Sequence, residues 1–293
     1  MNSQMTMFET ENSGLQKLVT NVASVPQRSP FRYPGGKTWL IPVVRRWLKQ
    51  ERKTVENLIE PFAGGGIVSL TAAFEKLAEK ITMVEIDHEI GAVWEVILNE
   101  KNQWLADKIY SYDLTYENVI ADLANTNKDP QDVAFCTILK NRVFHGGIIA
   151  KGSGMIKNGE NGKGITSRWY PKTLRDRIMA INVIKNKIKF ISGDAFEIII
   201  QNLNNKQAYF FIDPPYTIAG KRLYTHFEID HEKLFGLAAQ IKGKFMLTYD
   251  DTPEIRQFVE KYQLQFRTIP MKTTHHLSKN EIIVSDNFDW WKL

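Results

Sequence analysis

The chain has 293 residues but one cysteine, Cys136, so it can form no internal disulfide. Cys136 has no companion Cys/His cluster at metal-ligand spacing, and the neighbours His275 and His276 read as surface residues, so no metal site is expected. No apolar run approaches the ~18 residues a membrane-spanning helix needs. The N-terminus is polar and has no apolar signal segment. These absences lead us to expect a soluble protein of a reducing compartment, the cytoplasm, with no membrane partner. Neither GxGxxG nor GxxxxGK[ST] occurs; Gly35-Gly36-Lys37 lacks the first glycine of the phosphate loop. A nicotinamide oxidoreductase and a P-loop nucleotidase are thereby disfavoured.

What is present starts with a core: 43% of the residues are hydrophobic, enough for one large domain or a domain with an insert. Net charge is only +5, but it is unevenly placed. Between Lys140 and Lys189, twelve Lys/Arg face only Glu160 and Asp176, so that window carries +10 and the rest of the chain −5. A basic segment on an otherwise acidic protein is the footprint of a polyanion-binding surface, although a solvated helix face beside a polar loop gives the same count. Seven of the 18 glycines fall between Gly146 and Gly164, marking a mobile loop or hairpin there.

Residues 1–28 are polar and unpatterned, and are expected to be a flexible leader. A helix-like stretch follows Lys37, from Trp39 to Gln50. A short strand, Asn57 to Glu60, runs into Pro61-Phe62-Ala63-Gly64-Gly65-Gly66. Helical spacing covers 67–80, a second strand Ile81 to Val84 ends at Glu85-Ile86-Asp87, and a further helix runs through Trp94. Strand, glycine loop, helix, strand, acid is a βαβ unit of the Rossmann kind. The rhythm breaks between 100 and 185 and resumes with strands at 188–191, 208–212, 244–249, 264–270 and 281–285 and helices at 231–241 and 253–261. The expected division is therefore a catalytic domain of 29–100 and 186–293 with a second domain, 101–185, inserted into it.

Three acids fall where chemistry is expected. Asp213 follows the apolar run Ala208–Ile212 and opens Asp213-Pro214-Pro215-Tyr216. Proline fixes φ and has no N–H, so this turn is stiff. It presents a carboxylate, a free Pro214 carbonyl and an aromatic face together, which suits an exocyclic amino group on a flat heterocycle. Glu85 lies about 20 residues after the glycine loop, where an acid takes a ribose hydroxyl in dinucleotide folds; Asp87 is the alternative. Asp194 follows a strand and begins a helix, either as acceptor for an adenine amino group or as an ordinary N-cap.

Three motifs occur in order: Phe31-x-Tyr33-x-Gly35-Gly36-Lys37, Ile59-Glu60-Pro61-Phe62-Ala63-Gly64-Gly65-Gly66 and Asp213-Pro214-Pro215-Tyr216. Over residues 31–287 this resembles the D12 class, the Dam-type α-group of DNA adenine-N6 methyltransferases. β-group enzymes place the Asp-Pro-Pro-Tyr motif before the glycine loop. Asn141-Arg142-x-Phe144-x-Gly146 resembles the start of that family's target-recognition hairpin, and Lys279 to Ser285 its closing strand.

The resemblance implies an α/β fold: a Rossmann-like, S-adenosylmethionine-dependent methyltransferase sheet with an inserted helical and β-hairpin DNA-recognition domain. It implies S-adenosyl-L-methionine bound by Tyr33, Lys37, Phe62, Gly64, Gly66, Glu85, Asp194 and Asp213, with Tyr33 where the family often has Trp and Glu85 where Asp is commoner. Asp213, Pro214 and Tyr216 become catalytic residues, acting on a flipped-out adenine. Asn141, Arg142, Phe144, Lys151, Arg168 and Trp169 become DNA contacts; for Phe144 and Trp169, packing inside the insert is the alternative. The partner implied is double-stranded DNA, which would bring the protein to the nucleoid as a monomer or weak dimer; a cognate restriction endonuclease is the further partner the family suggests. Other acceptors for the same cofactor are cytosine N4, RNA adenine or a protein glutamine, and the non-enzymatic alternative is an inactive DNA-binding relative. Asp rather than Asn at 213 disfavours the glutamine.

Overall fold

A computed structural model of the chain describes residues 25–32, 36–51, 53–150, 152–159, 162–216, 228–272 and 278–292. Seven strands form one sheet in the order β3-β2-β1-β4-β5-β7-β6: β1 Val55–Glu60, β2 Ala78–Glu85, β3 Ile188–Ser192, β4 Ala208–Ile212, β5 Lys244–Asp250, β6 Gln265–Lys272 and β7 Ser278–Ser285. β1 to β5 are parallel, while β7 runs antiparallel to both β5 and β6. The helices are α1 Ile41–Leu48, α2 Ile67–Phe74, α3 His88–Ile97, α4 Asn102–Ser111, α5 Tyr116–Ala124, α6 Pro130–Val143, α7 Pro171–Ile181, α8 Ala195–Asn202, α9 His231–Ala238 and α10 Pro253–Lys261. Among the described residues no helix is long and apolar enough to cross a membrane.

The strands read as continuous apolar runs because both faces of a parallel sheet are covered. All five residues of β4 are buried. One apolar cluster joins Leu58, Phe211 and Met246 to Trp47 and Trp94; a second, on Phe210, Leu247 and Val284, packs Phe235 and Ile255 from the other side. This is a doubly wound, Rossmann-like α/β architecture. From β1 the chain winds outward through β2 to β3, then returns to β4 on the other side of β1, so the strand order reverses between β1 and β4.

Several boundaries differ from the sequence pattern. The helical spacing of 67–80 suggested one long helix, but α2 stops at Phe74. Lys76 takes a left-handed φ of 54°, and Leu77 N–H closes onto the Ala72 carbonyl. The chain is then free to pair Ala78 with Val55, so β2 begins three residues before Ile81. The leader's end is also structured: Val25 is buried in the core and Arg28 pairs with Glu75 at 3.2 Å. Residues 1–24 lie outside the described residues.

In the 101–185 segment, Leu105, Ile109, Phe135, Leu139 and Ile178 join the same apolar cluster as Val68 and Trp94. The segment therefore packs onto α3 as a continuation of the core. In place of a regular hairpin after α6 there is a loop tied by one antiparallel bridge, Phe144 to Met155, with Ile156 N–H donating to the Val143 carbonyl at 2.8 Å. The many glycines explain this, since Gly146, Gly147, Gly152, Gly159, Gly162 and Gly164 all take positive φ, which bends the chain out of strand conformation.

The loop after β1 depends on Gly66. Its φ is +63°, and a Cβ there would lie 2.7 Å from Met83 Cε and 2.9 Å from Trp94 Cζ2. A left-handed φ costs an L-residue about 1–2 kcal/mol and overpacking about 1–3 kcal/mol. Gly66→Ala is expected to lower the denaturant midpoint by the equivalent of about 2–4 kcal/mol without changing the m-value; urea titration measures it, and an unchanged midpoint would show that the loop is not tightly packed.

Candidate active site

In an open α/β sheet, ligands bind beyond the carboxyl ends of the strands where strand order reverses. A cleft of about 1130 Å³ opens there, between the loops after β1 and β4. Its walls include Lys37, Glu60, Phe62, Gly64, Glu85, Asp87, Asp194, Phe196 and Asp213. That volume is at the top of the range for small-molecule pockets, about 300–1,000 Å³, and suits two ligands side by side.

At the end of β4, Asp213 Oδ1 accepts from Thr248 Oγ1 at 2.7 Å and lies 3.1 Å from Lys37 Nζ. The same ammonium donates to Tyr216 OH at 2.7 Å and lies 3.4 Å from Glu281 Oε2; Tyr216 OH in turn donates to Glu281 Oε2 at 3.0 Å. Lys37 and Glu281 are buried. Burial works against the Lys37 charge, but the Asp213 and Glu281 carboxylates outweigh it and raise the ammonium pKa. Burial raises the Glu281 carboxyl despite Lys37, and burial with the two neighbouring acids lifts the Tyr216 hydroxyl well above its ordinary value. Tyr216 stacks on Tyr249 at 5.6 Å, whose hydroxyl meets His231 Nδ1 at 2.8 Å. Pro214 is buried beneath the turn.

Around the glycine loop, Trp94 Nε1–H donates to the Gly64 carbonyl at 2.8 Å. Glu85 takes three backbone N–H groups: Gly64 on Oε2 at 2.9 Å, and Ile86 and Asp87 on Oε1 at 2.9 and 3.0 Å. Burial still pushes its carboxyl up to about 7. Asp87 caps α3, its Oδ1 accepting from Glu89 and Ile90 N–H. Asp194 Oδ1 caps α8 through Phe196 N–H at 2.8 Å, while the side chain remains exposed at the cleft. Phe62 meets Phe196 edge-on at 6.5 Å, and Ile86, 49% exposed, lines the same wall. Deeper, the buried Glu60 accepts from Ser69 N–H at 3.0 Å; burial drives its carboxyl up to about 8.

The residues expected on DNA are placed less uniformly. Asn141 is buried: its amide receives Arg32 N–H at 2.7 Å and donates to the Arg32 and Gly147 carbonyls. Arg142 is buried too and donates to the Pro30 carbonyl; burial, with repulsion from Arg177 and Arg32, pulls it down to about 9. Both side chains are thus engaged with backbone carbonyls. Together with Arg177, which donates to the Ser29 carbonyl at 3.1 Å, they clamp the 29–32 segment that leads to Lys37. Gly147 fits this clamp because a Cβ would lie 2.6 Å from the Arg32 carbonyl. Trp169 packs edge-on to Tyr112 at 5.9 Å, and Phe144 packs on the core beside it. Arg168 is partly exposed on a short turn, Gly164–Arg168. Tyr33 and Lys151 lie outside the described residues.

The structure thus brings Lys37, Phe62, Gly64, Gly66, Glu85, Asp194 and Asp213 to one cleft, with Tyr216 bonded to Lys37 behind its wall. Lys37 lines the cleft with its ammonium between Asp213 and Glu281. Sequence reading gave no role to Glu60, Thr248 or Glu281. The signal for two of them is an acid bordering an apolar strand core, Leu58-Ile59-Glu60 and Glu281-Ile282-Ile283; Thr248 carries none. Among the described residues no group of three His, Cys, Asp or Glu could hold a metal ion.

The model of the D12 class N6 adenine-specific DNA methyltransferase family matches residues 33–276. Solved structures with similarity include a proposed RNA methyltransferase from Pyrococcus horikoshii, 12% identical over 93% of this chain and 97% of that one, TM-score 0.42. A precorrin-6y C5,15-methyltransferase from Geobacter metallireducens is 12% identical over 83% and 86%, TM-score 0.35. An rRNA methyltransferase from Streptomyces viridochromogenes is 10% identical over 86% and 85%, TM-score 0.38. These likenesses are distant, and nothing is inferred from them. No curated protein sequence matches the chain.

Glu60 and Glu85 hold protons more tightly folded than unfolded, so both add stability at low pH that is lost as pH rises from about 4.5 toward about 8 and about 7. Glu60→Gln, which cannot ionise, is expected to melt above the ligand-free wild type at pH 8 and close to it at pH 5. Melting curves across that range measure it, and a constant difference would contradict the assignment.

Proposed function

The chain belongs to the D12 class of N6 adenine-specific DNA methyltransferases, and from this premise we propose that it transfers a methyl group from S-adenosylmethionine to N6 of an adenine flipped out of double-stranded DNA. The observation that carries the reading is the Asp213 carboxylate, held at the strand end with Oδ1 engaged by Thr248 and Lys37.

The donor set fits the cofactor. Glu85 offers carboxylate oxygens for a ribose diol, Ile86, Phe62 and Phe196 an apolar slot for a heterocycle, and the exposed Asp194 an acceptor for its amino group. Asp194 can do this while capping α8, because the cap engages one oxygen. Asp87 and Asp194 give this part of the cleft the negative field that a cationic ligand requires. When bound, S-adenosylmethionine supplies a methyl group on a positively charged sulfur.

The chain's own residues supply the rest. Adenine N6 is a poor nucleophile because its lone pair is delocalised into the ring. Hydrogen bonds from the amine to the Asp213 carboxylate and the Pro214 carbonyl draw the nitrogen toward tetrahedral geometry. Asp213 need not be a strong base, since the proton leaves after the methyl has transferred. Alignment of two bound reactants contributes up to about 7–11 kcal/mol in favourable models. Tyr249 backs one face of Tyr216, and the target base would stack on the other for about 1–3 kcal/mol, which offsets part of the cost of leaving the helix. On this reading, residues 101–185 form the DNA-recognition insert, with Lys157, Lys163 and Arg168 on phosphates or bases and Arg32 and Arg177 lining the cleft. Asn141 and Arg142 serve the site by holding the 29–32 segment.

Asp213→Ala is expected to cut methyl transfer by at least about a hundredfold while the chain stays folded. Radiolabelled transfer to duplexes carrying only adenine or only cytosine as a target measures it; turnover near wild type, or transfer to the cytosine duplex alone, would overturn the proposal. Lys157→Ala with Lys163→Ala is expected to weaken DNA binding across sequences and reduce the salt slope by about 2. An unchanged slope in a salt titration would place those lysines off the DNA.

A further inference from the structure

Asp213 has two carboxylate oxygens but its contacts are one-sided. Thr248 Oγ1 at 2.7 Å and Lys37 Nζ at 3.1 Å both fall on Oδ1. The ammonium that holds Oδ1 is held in turn. Its stem enters from the N-terminal turn Lys37–Leu40, and its head lies between Tyr216 OH, 2.7 Å away, and Glu281 Oε2, 3.4 Å away. Glu281 also receives the Tyr216 hydroxyl at 3.0 Å, so a single carboxylate fixes both the cation beside Asp213 and the aromatic ring three residues beyond it. Glu281 does not line the cleft, and it is buried with 4% of its surface exposed.

Such a buried acid would be costly without a purpose or a partner. It sits on β7, directly opposite Asp250 of β5 in the ladder, and Asp250 is itself buried. The ionisable groups that act on Glu281 are Lys37, Asp213 and Tyr216. Its carboxylate and that of Asp213 raise the Lys37 pKa, so Lys37 serves here as a donor.

We propose that Glu281 is a positioning residue for methyl transfer: by anchoring Lys37 and Tyr216 it locks Asp213 with Oδ1 occupied and Oδ2 turned toward the target amine. Glu281 touches neither substrate, and Thr248 completes the lock from β5. Without Glu281, the ammonium, 3.1 Å from Asp213 Oδ1, moves toward that carboxylate, and both of its oxygens become available to the lysine. The inference rests on the adenine-methylation reading given above.

The test uses the full-length chain with Glu281→Gln, which keeps the shape and removes the charge. Single-turnover methyl transfer to an adenine duplex is expected to fall about tenfold to a hundredfold, the scale of a misplaced catalytic group. S-adenosylmethionine Kd by calorimetry should stay within about twofold of wild type, and the Lys37 ammonium pKa, followed by 15N NMR, should drop. Thr248→Val should lower the rate in the same way without moving the Lys37 pKa, and it carries the test if Glu281→Gln does not fold. A rate within about twofold of wild type in the folded variant, or a rate loss matched by equal loss of cofactor affinity, would overturn the positioning role. A wild-type chain that methylates no DNA would instead remove the reading on which it rests.

Discussion

The structure turns on one buried ammonium. Lys37, Asp213 and Glu281 are far apart in the chain, on the N-terminal turn, the end of β4 and β7, yet they meet within 3.4 Å at the floor of the cleft. An unpaired buried charge is costly, and removing one partner of a buried pair typically costs about 3–5 kcal/mol. The N-terminal turn therefore docks where Asp213 and Glu281 are, and nowhere else equivalent. This explains why the Asn141 and Arg142 clamp on residues 29–32 matters to chemistry at Asp213: it delivers the lysine.

The same electrostatic logic divides the cleft. Glu60, Glu85, Asp87, Asp194 and Asp213 line it from the strand ends, and Arg32, Arg142 and Arg177 from the N-terminal segment, α6 and α7. A cationic methyl donor and a polyanionic acceptor make opposite demands, and a single cleft satisfies both only if its charges are segregated. The sheet does this without special devices. The carboxyl ends of β1 to β4 carry the acids, and α6 and α7 bring two of the arginines.

Much of this was legible in the sequence, for identifiable reasons. Every strand was visible because buried parallel strands are short apolar runs bounded by turn residues. The Asp213 turn and the Gly64–Gly66 loop were visible because proline and glycine restrict or free the backbone at the residue itself. What depends on partners was not. Asn141 and Arg142 were expected on DNA, and nothing in their local sequence foretold their bonds to the carbonyls of Arg32 and Pro30, more than 100 residues away. The end of α2 at Phe74 was missed because alanine and leucine spacing continues past it, while register with β1 claims Ala78 for the sheet. Thr248 and Glu281 were missed because a single polar residue on an apolar strand gives no sign of what it faces.

The central claim is that the Asp213 cleft methylates adenine N6 in DNA. The most direct test is single-base mapping of modified bases in DNA from cells expressing this chain, against cells without it. The account predicts N6-methyladenine confined to one sequence context and appearing only with the chain. No methyladenine, or methylation of cytosine alone, would contradict it.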